Sequence, residues 1–211
     1  MWELYWSEWL IIAGIHLLAV ASPGPDFALI LRQSIQYGRR VAIISSVGVG
    51  MAIMLHVAYS LLGIGVIVSQ SVLLFNLMKY AAAAYLIYVG YKALRARPQN
   101  LDALQQAQQQ TLPSARQAWF SGFLTNGLNP KATLFFLSLF TAVISPTTPL
   151  EVQLAYGIYM AVATTLWFIL VSLLFSGARV RGWFKRLGHW FERIMGGILI
   201  LLGVKIAGSS V

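Results

Sequence analysis

Ser22-Pro23-Gly24-Pro25-Asp26 interrupts the first apolar run of the chain, and Asn129-Pro130-Lys131 interrupts the fourth. Proline lacks a backbone donor and clashes with the turn before it, so each run is predicted to divide into two half-helices, the second starting at or near proline. Ser22, Gly24 and Asn129 are suitable caps by residue type. At either site taken alone a simple kink is the alternative, because proline is common in membrane helices. Pro25 and Pro130 lie about half the chain apart, and each sits well inside its run. The two breaks are therefore predicted to match, both near the middle of a membrane.

The rest of the chain supports a membrane reading. Of 211 residues, 58% are hydrophobic and only 10% charged, against roughly 25% charged in a soluble domain. A hydrocarbon core about 30 Å thick needs about 20 apolar residues per helix. Apolar runs predict spans near 9–31, 41–69, 72–91, 117–144, 152–178 and 190–208. A polar, glutamine-rich stretch from Pro98 to Pro113 reads as a linker between two halves. Three spans per half is an odd number, so the halves must face opposite ways across the bilayer. The expected fold is all-α: six transmembrane helices as two inverted three-helix repeats with broken first helices. The chain is then one transport domain, with repeat one at about 9–94, the linker at about 95–116 and repeat two at about 117–208.

The +9 net charge suggests nucleic acid only until its positions are read. Arg32, Arg39 and Arg40 fall in one connection, Lys92, Arg95, Arg97 and Arg116 in a second, and Arg179, Arg181, Lys185, Arg186 and Arg193 in a third, while the connections near 70 and at 145–151 hold no basic residue. The positive-inside rule makes those three connections cytoplasmic and puts both termini outside. Nucleic-acid binding is not expected. Met1 to Glu8 lack the basic region of a signal peptide, so the first span is expected to be retained. Trp2, Trp6, Trp9, Trp119, Trp183 and Trp190 lie near predicted span ends, as interfacial anchors do. With no cysteine, disulfide relays and thiolate metal sites are excluded, and no zinc-protease, nucleophile-elbow or P-loop motif points to an enzyme or to ATP hydrolysis.

Paired broken helices point to a substrate site, because freed amides and carbonyls are tolerated at membrane depth only where they line a cavity. A charge at the bilayer centre costs about 2.5–3.5 kcal/mol on insertion scales, so Asp26 and Lys131 must face the interior. The dipole of the second half-helix favours Asp26 and opposes Lys131, which needs an anion. That anion is either Asp26, as an ion pair, or a substrate carboxylate. A zwitterionic amino acid would satisfy both residues. The candidate substrate site comprises Ser22, Pro23, Gly24, Pro25, Asp26, Asn126, Asn129, Pro130 and Lys131, with Asp26 and, in reserve, His16 as proton carriers. His16 is otherwise bonded to a neighbouring helix, and His56 reads as structural. Lys79 reads as a snorkelling anchor, and Arg193, beside Glu192, as an anchor or a gate ion pair. Gly48, Gly50, Ala81 to Ala84, Gly196 and Gly197 offer small surfaces for close helix contact.

Ser22-Pro23-Gly24-Pro25, Tyr85 with Gly90, Thr125-Asn126 with Asn129-Pro130-Lys131, and Arg193 with Gly196 and Gly203 together resemble the LysE/RhtB family of bacterial amino-acid exporters. The stretches His16 to Phe27 and Gly122 to Ala132 are most similar to its threonine and homoserine exporters. The resemblance implies a six-span carrier that exports amino acids at the expense of the proton gradient. The partners it implies are a small amino acid, protons and membrane lipid, with no cofactor; a homo-oligomer is left open. A cation or metal-ion carrier is the alternative, with Asp26, His16 and His56 as ligands, although so few ligating side chains weigh against it.

Overall fold

The computed structural model describes residues 5–70, 72–95, 112–145 and 147–208, and among these every regular element is a helix. Helix α1 runs Trp6–Ala21 and α2 Pro25–Gln36; α3 is Arg39–Gln70 and α4 Val72–Leu94; α5 is Ala115–Gly127 and α6 Pro130–Ala142; α7 is Leu150–Phe175 and α8 Ala178–Gly208. Most of the linker, and the side chains of Trp2, Lys79, Tyr85, Trp183 and Glu192, lie outside the described residues.

Both breaks are present. Helix α1 closes with Ser22 N–H on the Leu18 carbonyl at 3.1 Å, and Ser22 is extended (φ −66°, ψ 121°), as a residue before proline prefers. Ser22 thus caps the end of α1 rather than the start of α2. That start has Gly24 as cap and Pro25 at the first helical position, where its missing N–H leaves no bond unmade. The α1–α2 pair is bent by 54°. At the second break, Asn129 caps α6 by accepting from the Lys131 N–H at 2.9 Å, and Pro130 again opens the helix. Gly38 ends α2 at φ +83°, the left-handed region that glycine enters without strain.

The basic stretch 179–193, expected as a connection, is helical within α8. No proline occurs between Ala178 and Gly208, and Arg, Lys and Leu are good helix formers, so nothing stops the helix before the apolar run begins.

Small residues set the packing. A Cβ on Gly122 would collide with the Ser45 carbonyl, and one on Gly48 with the Trp119 carbonyl, so α3 and α5 pack backbone to backbone. Gly50 lies in the same way against Ala161 and Thr165 of α7, Gly90 and Gly196 face each other between α4 and α8, and Gly203 lies against Ala83. Gly197 meets nothing within 4 Å, so it takes no part in these seams. The contacts also fix direction. Ser45 meets Ala118 and His56 meets Asn126, so α3 and α5 run parallel. Gly50 opposite Ala161, with Val57 opposite Gly157, makes α3 and α7 antiparallel, as are α4 and α8.

Leu154, Ile158, Val162, Leu166, Leu170 and Leu174 form an exposed apolar stripe along α7. Water would not tolerate a stripe of that length, whereas lipid is its natural neighbour. Among the described residues, Arg39–Gly63 and Leu150–Phe175 are each long and apolar enough to span a bilayer, and the bent α1–α2 pair passes as a third span. Inside lie two apolar clusters, one around Ile12, Ile53, Phe136, Tyr156 and Met160, the other around Phe27, Ile30, Val49, Phe168 and Phe175.

Candidate substrate site

Between the two clusters lies a cavity of ≈ 50 Å³ on which both helix breaks converge, with room for roughly four waters. Ser22, Gly24 and Asp26 from the first break, and Asn126, Asn129 and Lys131 from the second, line it with His16 and Thr164. Of the residues expected at the site, only the three prolines do not line it. Their work is done in the backbone, where Pro25 and Pro130 start the half-helices.

The breaks brace each other. The Asp26 carboxylate accepts, at Oδ2, from Asn126 Nδ2 at 3.0 Å and from Asn129 Nδ2 at 2.9 Å, both from the second break. In return, Lys131 Nζ donates to the carbonyls of Ala19 (3.1 Å) and Ser22 (2.5 Å). Those carbonyls are at the C-terminal end of α1, the negative end of its dipole. Lys131 therefore meets, besides the charge of Asp26, the partial charges of freed carbonyls, and the dipole of its own helix is overridden by that of another. Its stem crosses Gly24, where a Cβ would approach Lys131 Cδ to 3.3 Å. Glycine keeps that passage open.

The amide orientations follow from their partners. Asn129 Oδ1 is occupied by the Lys131 N–H, so its Nδ2 must face Asp26. His56 Nε2 lies 3.1 Å from the Asn126 backbone carbonyl and 3.2 Å from Asn126 Oδ1. A carbonyl can only accept, so Nε2 carries the proton, and Asn126 presents Nδ2 to Asp26. His56 Nδ1 pairs with the Tyr59 hydroxyl. The result is one oriented chain from Tyr59 through His56 and Asn126 to Asp26. His56 is fully buried, and its bonds hold Asn126, which in turn clamps Asp26. Its one advance signal is the i,i+3 spacing of His56 and Tyr59 on a helix face.

His16 is bonded to a neighbouring helix, its Nε2 lying 3.0 Å from Thr164 Oγ1 of α7. Thr164 had no sequence signal. Three buried atoms of these lining residues have no hydrogen-bond partner among the described residues: Asp26 Oδ1, Ser22 Oγ and His16 Nδ1. Native proteins leave few such groups. The site thus offers a carboxylate oxygen, a hydroxyl and an imidazole nitrogen, with an ammonium held nearby.

A chain whose described residues form only helices, some long and apolar enough to span a bilayer, with a charged, buried cavity at two facing helix breaks, has the build of a membrane carrier. The match is to the LysE type translocator family over residues 17–210, and the chain is a member of that family. It is 27% identical over 197 residues to the threonine efflux protein of Escherichia coli (strain K12), covering 93% of this chain and 96% of that one. It is 28% identical over 210 residues to the homoserine/homoserine lactone efflux protein of Salmonella typhimurium (strain LT2), covering 97% of both chains. No solved structure matches.

Proposed function

We propose that this protein exports small neutral amino acids, threonine and homoserine among them, across a bacterial cytoplasmic membrane by proton antiport. The observation that carries the proposal is the cross-bracing of the two breaks, which puts a carboxylate and an ammonium into one cavity. A zwitterion complements that pair. Its ammonium competes for Asp26, where Oδ1 is unclaimed, and its carboxylate competes with the α1 carbonyls for Lys131. In this reading Ser22, Gly24, Asn126 and Asn129 complete the substrate site, with Pro23, Pro25 and Pro130 shaping its backbone. Asp26 carries the exchanged proton, since proton and substrate ammonium are alternative cations for one carboxylate. His16 stands in reserve for that role.

The chain forms one transport domain of six spans in two inverted repeats. Both halves read broken helix, helix, helix, and the corresponding pairs α3/α7 and α4/α8 run antiparallel, as inversion requires. Glu8 at the start of α1 accepts from the Ser145 N–H at 2.7 Å and from the Tyr156 hydroxyl at 2.9 Å, so the start of α1 shares a face with the connection that carries no basic residue. Both support termini on the outside. The cation-carrier alternative is not favoured, because the family match and the relatives named for threonine and homoserine efflux support amino-acid export.

The test is to load proteoliposomes containing the purified protein with a panel of amino acids and follow their release under an imposed pH gradient. Gradient-dependent release of threonine or homoserine is expected. Release of a divalent metal with no amino acid would replace this reading by the alternative.

A further inference from the structure

We propose that His16 and Thr164 form a subsite for a hydroxyl on the substrate's side chain, an inference that rests on the exporter reading above. The two residues are 2% and 1% exposed, they are joined by the 3.0 Å contact between Nε2 and Oγ1, and both line the cavity. His16 Nδ1 is buried and has no hydrogen-bond partner among the described residues. A buried polar atom without a partner carries a desolvation cost that a ligand can relieve.

The position of the pair indicates which part of a ligand it meets. Asp26 and Lys131 are held at the breaks by Asn126, Asn129 and the α1 carbonyls. His16 lies three residues before Ala19, whose carbonyl holds Lys131, roughly 4.5 Å along the helix axis. An amino acid whose charged groups engage the breaks has only its side chain left to direct along α1 toward His16. The wall there is otherwise apolar, with the Phe135 ring 6.1 Å from the imidazole and Phe168 also lining the cavity.

The chemistry selects a hydroxyl. The Thr164 contact allows either nitrogen of His16 to carry the proton, so Nδ1 is an acceptor in one tautomer and a donor in the other. A hydroxyl donates and accepts and therefore fits both. A methyl group in its place fits neither and leaves Nδ1 unpaired. A pocket built to bond a hydroxyl rejects the analogue that lacks it far more strongly than an apolar pocket distinguishes a methylene.

Threonine and valine differ by that one replacement, so the experiment compares their rates of gradient-driven release from proteoliposomes, with homoserine and 2-aminobutyrate as a second pair. The hydroxylated member of each pair is expected to be preferred about 10-fold or more. His16→Phe and, independently, Thr164→Val are expected to bring both ratios toward one, the hydroxylated member of each pair losing more of its rate than its partner. Equal rates within each pair for the unmodified protein would overturn the subsite and leave the exporter reading intact, and this measurement needs no variant to fold. Discrimination undiminished in a transport-competent variant of either residue would also overturn it. Failure to carry any amino acid would overturn the exporter reading and the subsite together.

Discussion

Asn129 makes two bonds of different kinds, and substitution can separate them. Its Oδ1 caps α6 through the Lys131 N–H, and its Nδ2 clamps Asp26, each at 2.9 Å with the residue 2% exposed. A lost N-cap costs about 1 kcal/mol. A bond to a charged acceptor contributes about 1.5–3 kcal/mol, but interhelical bonds inside membranes average about 0.6 and reach about 1.7. Asp26 also keeps the second clamp from Asn126, so about 1–2 kcal/mol is the reasonable value for this one. Asn129→Ser retains an oxygen able to cap and loses the reach to Asp26, so it should cost the clamp alone. Asn129→Ala should lose both, about 2–3 kcal/mol. At roughly 2–4 °C per kcal/mol for a chain of this length, the apparent unfolding midpoint in detergent should fall by about 2–8 °C for Ser and about 4–12 °C for Ala. Transport should fall in both, since both free one side of Asp26. Equal losses in the two variants, or a Ser variant as stable as the parent, would refute the division of labour.

Gly122→Ala places a Cβ against the Ser45 carbonyl and is expected to cut membrane yield severely, while Gly197→Ala, facing open space, should be neutral; quantified expression of the two decides it. His56→Gln keeps an N–H for Asn126 and should retain part of the efflux that His56→Phe loses, and equal activities would remove His56 as the residue that orients Asn126. Asp26→Asn is expected to abolish gradient-driven efflux in proteoliposomes yet leave exchange at equal pH, and a variant that still concentrates substrate would take the proton from Asp26. In this cysteine-free chain, Ala107→Cys should resist an impermeant thiol reagent added to intact cells and Thr147→Cys should react, with the opposite pattern reversing the topology.

The local features were legible because their causes are local. Proline stops a helix wherever it stands, so α2 and α6 begin at Pro25 and Pro130 as the sequence predicts. Composition alone demanded lipid, and Asp26 and Lys131 were marked by the cost of charge at membrane depth. Small residues announced the seams at Gly48, Gly50 and Gly196, although no periodicity could tell that Gly197, one residue on, would turn away. What the tertiary structure decided is pairing, which depends on residues distant in sequence. Lys131 was assigned an anion because its own helix dipole opposes it, yet it binds carbonyls at the end of α1, 109 and 112 residues away, whose exposure only the packed breaks create. The tautomer of His56, the orientation of the Asn126 amide, the reach of Asn129 to Asp26 and the place of Thr164 opposite His16 likewise belong to neighbours 70 or more residues apart. A side chain's type states what it can bond, and only the fold states what stands within 3 Å of it.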